Sequence, residues 1–264
     1  MRGYLPETFV NKMRYIVDTN LWIDVSRGTL SCTDLKGKSG INVVLAPPVI
    51  IELVRGVVKS AGEHFPRSRS LFRCMTQSQP EILELPKVFV STILWNVSNR
   101  DSGVRPEHYE ELMDLLIQAR SFTDFLAETE KPGSVWKRIG EIDSIHEGVL
   151  EKELKSLERL AGASLAALPV NLARLYKRGG LLPNPEFFEE KFSAAIEFLR
   201  SSILQVRNGA NPRKNDRGMY VDQQLFFYLA DPEVAVVSQE DFSNQIKTSP
   251  QAARIISYEA FCHL

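Results

Sequence analysis

The segment MRYIVDTNLWIDV, Met13 to Val25, contains the change of pattern that decides the fold. Tyr15 to Val17 form a short apolar run of the kind that makes a buried strand, whereas the apolar residues of LWIDV recur at helical spacing. Asp18 therefore lies where a strand gives way to a helix. In α/β folds this is the carboxyl edge of the sheet, where ligand sites gather.

The same alternation of strand and helix recurs near both ends of the chain. INVVLAP (41–47) predicts a second strand, and Pro48 favours a helix over PVIIELVRGVVKS. After residue 206, MYVDQQLFFYLA predicts a buried helix, and VAVV (234–237) and RIISY (254–258) predict two further strands. We therefore predict an α/β fold, a three-layer sandwich around a central parallel sheet of four to five strands.

A long helical stretch separates the two α/β parts. Residues 105–206 carry apolar residues at helical spacing throughout, while the preceding segment EILELPKVFVSTILW (81–95) fits either a strand or a helix. Connections between parallel strands tolerate long excursions. We predict one discontinuous domain, residues 1–86 and 207–264, with a helical insertion over residues 87–206.

Composition narrows the class of protein. The 264 residues are 44% apolar and 25% charged, as in an ordinary globular protein, and the formal net charge of −1 requires any nucleic-acid binding to come from local patches. Cys32, Cys74 and Cys262 are odd in number and far apart, with no C-x-x-C, so we expect neither a disulfide framework nor a zinc site. With no signal-peptide core and no membrane-spanning run, a reduced, cytoplasmic protein is predicted.

Four acidic residues occupy comparable places in this layout. Asp18 follows the first strand, and Glu52 lies on the helix after the second. Asp222 lies on the late helix, and Asp241 comes a short turn after VAVV. Because parallel strands end at one edge of a sheet, these side chains could converge there. Their mutual repulsion would require a cation, and oxygen ligands favour Mg²⁺ or Mn²⁺, so we predict a metal site.

Three segments resemble the PIN-domain nucleases. YIVDTNLWIDV is similar to the opening strand and helix of that family, PPVIIELVRG to its second acidic segment, and YVDQQLFFYLADPEVAVVSQEDF to its closing segment. The resemblance covers about residues 13–60 and 215–260 and assigns the family's acidic positions, in order, to the four residues above. It also implies that Asn20 and Ser238 are supporting positions, which orient the first aspartate or a water molecule.

The chain departs from the family pattern in two respects. It is roughly twice as long as a compact PIN domain, because of the helical block, whose role the resemblance does not explain. In addition, Asp216 competes with Asp222 for the third acidic position. We favour Asp222, which sits inside the predicted helix and nineteen residues before Asp241.

The resemblance implies a metal-dependent endoribonuclease that hydrolyses phosphodiester bonds, in single-stranded RNA. Basic residues near the acidic positions are candidates for contacting the RNA phosphates. Arg213, Lys214 and Arg217 lie in the loop that leads to the Asp222 helix, and Arg55 shares a polar helix face with Glu52.

Each predicted site residue also has an ordinary structural interpretation. Asp18 or Asn20 could cap the first helix, and Glu52 could pair with Arg55 one turn on. Ser238 and Asp241 fit a variant of the capping box, S-x-x-D, at a helix start. These alternatives remain open at the level of sequence.

Other functions also remain open. The chain could be a non-catalytic RNA-binding or scaffold protein with a PIN-like fold, the toxin of a toxin–antitoxin pair, or a nuclease for structured DNA. Residues 107–130 hold seven acidic side chains and one Arg, which should repel a phosphate backbone. We expect this acidic helical segment to lie outside the RNA cleft or to bind a protein partner, and a homodimer is a further option.

Overall fold

A computed structural model of the chain describes residues 13–36, 41–96, 104–140, 165–208, 216–239 and 242–264. The strands are β1 (Arg14–Val17), β2 (Asn42–Val44), β3 (Val234–Ser238) and β4 (Ile255–Ser257). The α-helices are α1 (Thr19–Arg27), α2 (Cys32–Lys36), α3 (Pro47–Lys59), α4 (Phe65–Thr76), α5 (Pro86–Trp95), α6 (Pro106–Gln118), α7 (Phe122–Thr129), α8 (Leu168–Leu175), α9 (Pro185–Lys191), α10 (Ser193–Arg207), α11 (Asp216–Phe227), α12 (Ser243–Ile246) and α13 (Tyr258–Cys262). Residues 135–140 are helical as well.

The four strands form one sheet in the order β2-β1-β3-β4, and every neighbouring pair is parallel. β3 is buried along its whole length, and β1 is buried except for the half-exposed Arg14, as expected when helices cover both faces of a parallel sheet. One further parallel bridge, from Leu45 to Ile82, extends the β2 edge. The predicted α/β class with a parallel sheet is confirmed, and the arrangement is consistent with a three-layer sandwich.

Local sequence explains where the first helices begin and end. α1 starts directly after Asp18 and ends at Gly28, whose left-handed backbone (φ 77°) a side chain would strain. α3 starts at Pro47 and Pro48, because a proline in the first turn has its φ already set and lacks an N–H that would be unpaired there anyway.

The segment that fitted either a strand or a helix contains some of each. Ile82 makes the single bridge at the sheet edge, and α5 begins four residues later at Pro86. The helix packs into the core through Phe89, whose ring lies 5.1 Å from the ring of Tyr228.

The helical stretch that follows opens with α6 and α7, which a reciprocal cap separates. The Ser121 hydroxyl accepts a hydrogen bond from the Asp124 N–H, and the Asp124 carboxylate accepts one from the Ser121 N–H, both at 3.1 Å. Arg69 on α4 donates to the carbonyl of Ile117 at 3.2 and 3.1 Å, near the end of α6. Arg69 lies in the basic segment RSRSLFR (67–73). Its side chain here binds the C-terminal end of a helix.

Helices of the predicted insertion pack against helices of the predicted α/β domain. α6 contacts α3 and α4, and α5 contacts α11, so both parts share one apolar core. The division at residues 87 and 206 stays a prediction. In the described part of the chain, no helix combines the length and the apolar character that crossing a membrane requires.

A disulfide joins Cys32, at the start of α2, to Cys74, near the end of α4. The two Cα atoms are 6.3 Å apart, within the range that a disulfide spans. α1 packs against α4, which brings the element after α1 to the end of α4. The expectation of unpaired cysteines is therefore wrong for this pair, because a separation of 42 residues along the chain carries no information on distance in space. Cys262 is half-buried and takes no part in this disulfide.

We expect Cys32→Ser to lower the free energy of unfolding by about 4 kcal/mol, because the disulfide closes a 42-residue loop and so restricts the unfolded chain. Urea unfolding in the absence of reductant measures this change.

The matched control is Cys262→Ser, which removes a thiol outside the disulfide and should cost less than about 1 kcal/mol. Treating the wild-type protein with a dithiol should reproduce the loss seen in Cys32→Ser. Equal stability of that variant and the oxidised wild type would contradict a structural role for the bond.

Candidate functional site

Asp18 lies at the carboxyl end of β1, one residue before α1. Its backbone is extended (φ −62°, ψ 153°), and its N–H donates to the carbonyl of Val237 on β3 at 2.9 Å. The residue is only 2% exposed, and its carboxylate accepts no capping hydrogen bond from α1. Capping therefore does not explain this aspartate, and a buried carboxylate requires compensation by other groups.

Ser238, the last residue of β3, provides part of that compensation. Its Oγ donates to Asp18 Oδ2 at 3.0 Å, and the serine is fully buried. Val17 pairs with Val237 across the two strands, so the residues that follow them, Asp18 and Ser238, lie side by side. Asn20 lies exposed in the first turn of α1, and its supporting role stays a prediction.

Glu52 lies half-buried on α3, beside the start of α1. Burial raises the pKa of its carboxyl group. The nearby Thr19 hydroxyl and the positive charges of Lys59 and Arg55 oppose that shift without cancelling it. Since Thr19 directly follows Asp18, the second predicted acidic residue lies next to the helix start that carries the first.

Asp222 lies half-buried on α11, and this helix packs against α3 as well as α5 and α10. The next residue, Gln223, is buried, and the apolar residues that follow it enter the core. The helix of the third predicted acidic residue thus contacts the helix that carries Glu52.

The remaining predicted residues lie beyond what the structure describes. Asp241, Arg213 and Lys214 fall outside the described ranges. Asp216 and Arg217 form the start of α11, but their side chains are also outside the description. The choice between Asp216 and Asp222, and the loop that was predicted to contact phosphates, therefore stay predictions.

The described residues supply part of a donor set for a metal ion. Among them, no three Asp, Glu, His or Cys side chains form a metal-binding group. They do offer the carboxylates of Asp18 and Glu52, and the buried Thr19 hydroxyl, which makes no hydrogen bond of good geometry within the described ranges. Such oxygen donors suit Mg²⁺ or Mn²⁺, and Mg²⁺ is often held by one or two carboxylates with water and substrate phosphate. Asp222 and Asp241 are the candidates for a further ligand.

Two contacts at this edge of the sheet were missed by sequence reasoning. The first is the contact of the Thr19 hydroxyl with Glu52. Because Thr19 directly follows the aspartate at the end of β1, the sequence could have predicted its place at this edge. Gln239 Nε2 donates to Asp24 Oδ2 at 2.6 Å and so joins the end of β3 to α1. No local sequence pattern predicts this contact, because the two residues are 215 positions apart.

No protein-family model, curated protein or solved structure matches this chain. Its function therefore has to be inferred from its own residues and their geometry.

We expect Glu52→Gln to stabilise the protein at neutral pH and to have little effect below the usual glutamate pKa of 4.5. Because the folded-state pKa is raised, the folded protein holds this proton more tightly than the unfolded chain. The free energy of unfolding of the wild type therefore falls as pH rises from about 4.5 through the folded-state pKa, and glutamine removes that loss. Thermal unfolding at pH 4 and pH 7 measures the difference.

The control is Glu63→Gln, which removes one negative charge from an exposed position. A gain at pH 7 that is equally large in both variants would mean that net charge, and not burial of Glu52, causes the effect.

Proposed function

We propose that this protein is a PIN-like, metal-dependent endoribonuclease that hydrolyses phosphodiester bonds in single-stranded RNA. Asp18, Glu52, Asp222 and Asp241 would hold one or two Mg²⁺ or Mn²⁺ ions at the carboxyl edge of a three-layer sandwich. The proposal combines the resemblance of three segments to that family with the geometry at the ends of β1 and β3.

The observation that carries the proposal is the buried Asp18 carboxylate, which the Ser238 hydroxyl binds at 3.0 Å. A carboxylate withdrawn from water costs stability unless its surroundings compensate it. Burial of Glu52 adds a second such cost close by. A buried carboxylate and a second one with a raised pKa, both at the edge of a parallel sheet where ligand sites gather, are typical of a ligand site.

Each residue has a distinct part in this mechanism. Ser238 would fix the orientation of the Asp18 carboxylate at the edge of the sheet, through its hydrogen bond to Oδ2. Glu52 must lose its proton before it can coordinate a cation, and its raised pKa sets the pH at which that happens. When bound, Mg²⁺ or Mn²⁺ would lower the pKa of a coordinated water molecule and would offset negative charge on the phosphate.

Charge distribution supports an RNA substrate that approaches from the α3 side. Arg55 is half-buried one turn after Glu52, where it can neutralise a phosphate near the carboxylates. Arg213, Lys214 and Arg217 would extend this basic lining at the entrance to α11. The acidic face of α6 and α7 repels a phosphate backbone, so it lies outside the path of the RNA and is free to bind a protein.

A cytoplasmic location is part of the proposal and has a chemical consequence. Cytosolic reductants keep most thiols reduced, so the bond between Cys32 and Cys74 would open there. The fold would then depend on the packing of α1 against α4 without the covalent link.

We expect Asp18→Asn to reduce cleavage of single-stranded RNA by about a hundredfold or more, because losing even an outer partner of a metal ligand costs ten- to hundredfold. The amide has the same shape and removes a buried charge, so the melting temperature should not fall. A cleavage assay on single-stranded and duplex RNA and DNA, with and without EDTA, makes the measurement.

Two further variants are compared with Asp18→Asn. Ser238→Ala keeps the carboxylate but removes its hydrogen-bond donor, and its activity should fall between wild type and Asp18→Asn. Asp34→Asn changes an exposed aspartate on α2 and should leave activity unchanged. Full cleavage by Asp18→Asn, or cleavage that EDTA does not stop, would argue against the assignment.

A non-catalytic RNA-binding or scaffold protein of the same fold is the second candidate. It would keep the polar edge around Asp18 and Ser238 without using it to hold a metal ion. The nuclease and the scaffold differ in whether the folded chain binds a divalent cation at this edge.

We expect Mn²⁺ at a hundredfold excess over its dissociation constant to raise the free energy of unfolding by about 2.7 kcal/mol in the wild type. Asp222→Asn should remove most of this gain if that residue is a ligand. A thermal shift assay with and without Mn²⁺ measures it, and Asp34→Asn is again the matched control. No shift in the wild type would favour the non-catalytic protein.

A further inference from the structure

An open concavity of about 630 Å³ lies on the surface formed by α6 and α7. Its floor includes Leu115 and Ala119. Six carboxylate side chains line it and define what we call the acidic concavity: Glu107, Glu110, Glu111, Asp114, Asp124 and Glu128. A space of this size accommodates several side chains of a partner.

The carboxylates on α6 are poorly placed for the stability of the helix itself. Four of them recur at spacings of three and four residues, where like charges repel along a helix face. None of these four forms an ion pair within the described part of the chain, whereas Glu128 pairs with Lys131 at 2.5 Å. Cationic groups from outside would relieve this repulsion.

A second surface feature has the opposite charge. Residues 174–182, which we call the basic hairpin, connect α8 to the segment before α9. Arg178 and Leu181 exchange backbone hydrogen bonds at 3.0 and 2.8 Å across a turn formed by Gly179 and Gly180, both at positive φ. Between residues 171 and 184 the charged side chains are cationic without exception. They are Arg174, Lys177 and Arg178, and all three are exposed.

The basic hairpin also exposes large apolar side chains. Leu181 is 67% exposed, Leu182 52% and Leu175 48%. Exposed apolar side chains that cluster beside charged ones are typical of a surface that binds another protein.

The base of the hairpin packs against the core, while the residues of its tip are exposed. Trp95 Nε1 donates to the carbonyl of Tyr176 at 3.0 Å. The Tyr176 ring packs against the rings of Phe188 at 5.7 Å and Phe227 at 6.3 Å. A projecting element that is already ordered loses little conformational freedom on binding.

We propose that the basic hairpin of one copy of this chain binds in the acidic concavity of a second copy. Lys177 and Arg178 meet the carboxylates, while Leu181 and Leu182 cover the apolar floor. Charge complementarity selects this occupant, because the same chain carries both the acidic concavity and an exposed cationic hairpin. The proposal stands independently of the nuclease assignment, because it uses neither Asp18 nor Glu52.

The proposal is tested by the mass of the full-length chain in light scattering coupled to gel filtration. Wild type at sub-millimolar concentration and about 0.05 M salt should exceed the mass of one chain. Association should weaken at least tenfold at about 1 M salt, where the screening length falls to about 3 Å. A wild type that stays monomeric at low salt overturns the proposal.

Two charge-reversal variants identify the surfaces. Lys177→Glu with Arg178→Glu destroys the hairpin and keeps the concavity, whereas Glu110→Lys with Glu111→Lys does the reverse. Each variant alone should be monomeric. An equal mixture should form a complex that neither variant forms alone, because the intact hairpin of one variant meets the intact concavity of the other. A mixture that stays monomeric overturns the proposal.

Matched controls change the same amount of charge elsewhere. Arg67→Glu with Lys87→Glu, and Glu63→Lys with Glu259→Lys, alter exposed residues outside both surfaces. Both should associate like the wild type. Loss of association in either would show that overall charge, not the contact proposed, governs self-association and would overturn it.

Discussion

The pairing of β1 with β3 is the constraint on which the candidate site depends. Its register puts Asp18 beside Ser238, so that residues 220 positions apart share a buried hydrogen bond. The positive end of α1 adds to the compensation, because a carboxylate near a helix N-terminus is stabilised by the helix dipole. Through Thr19, the same helix start also reaches Glu52. Strand order and helix packing thus bring three separate stretches of chain, those of Asp18, Glu52 and Ser238, to one edge of the sheet.

The two ends of the sheet differ in how their charged groups are accommodated. At the carboxyl edge, Asp18 is buried against Ser238, and partial burial raises the pKa of Glu52. At the opposite edge, polar groups are paired: Arg14 forms ion pairs with Asp231 and Glu81, and Arg254 donates to the carbonyls of Leu229, Asp231 and Val234. Burial lowers the pKa of Arg254, and the surrounding carbonyls accept its hydrogen bonds.

Near-neutral net charge conceals a strong local separation of charge. Carboxylates gather on α6 and α7, cations on the basic hairpin, and mixed charges around α3. Electrostatic fields act over about 8 Å at physiological ionic strength, so such patches behave as separate surfaces. The two proposals use different patches of this surface, the sheet edge for a polyanion and the acidic concavity for a cationic protein surface.

The sequence by itself determined where the strands and helices lie and which acidic residues stand at or near their ends. The apolar runs at Tyr15–Val17 and 234–237, and the prolines at the start of α3, specify strands and helix starts through short-range sterics and burial, and the structure confirms them. Tertiary structure alone decided the strand order, the bond between Cys32 and Cys74, and the contact between Gln239 and Asp24. These depend on distances between residues far apart in the chain, which packing of the whole core sets and no local pattern encodes.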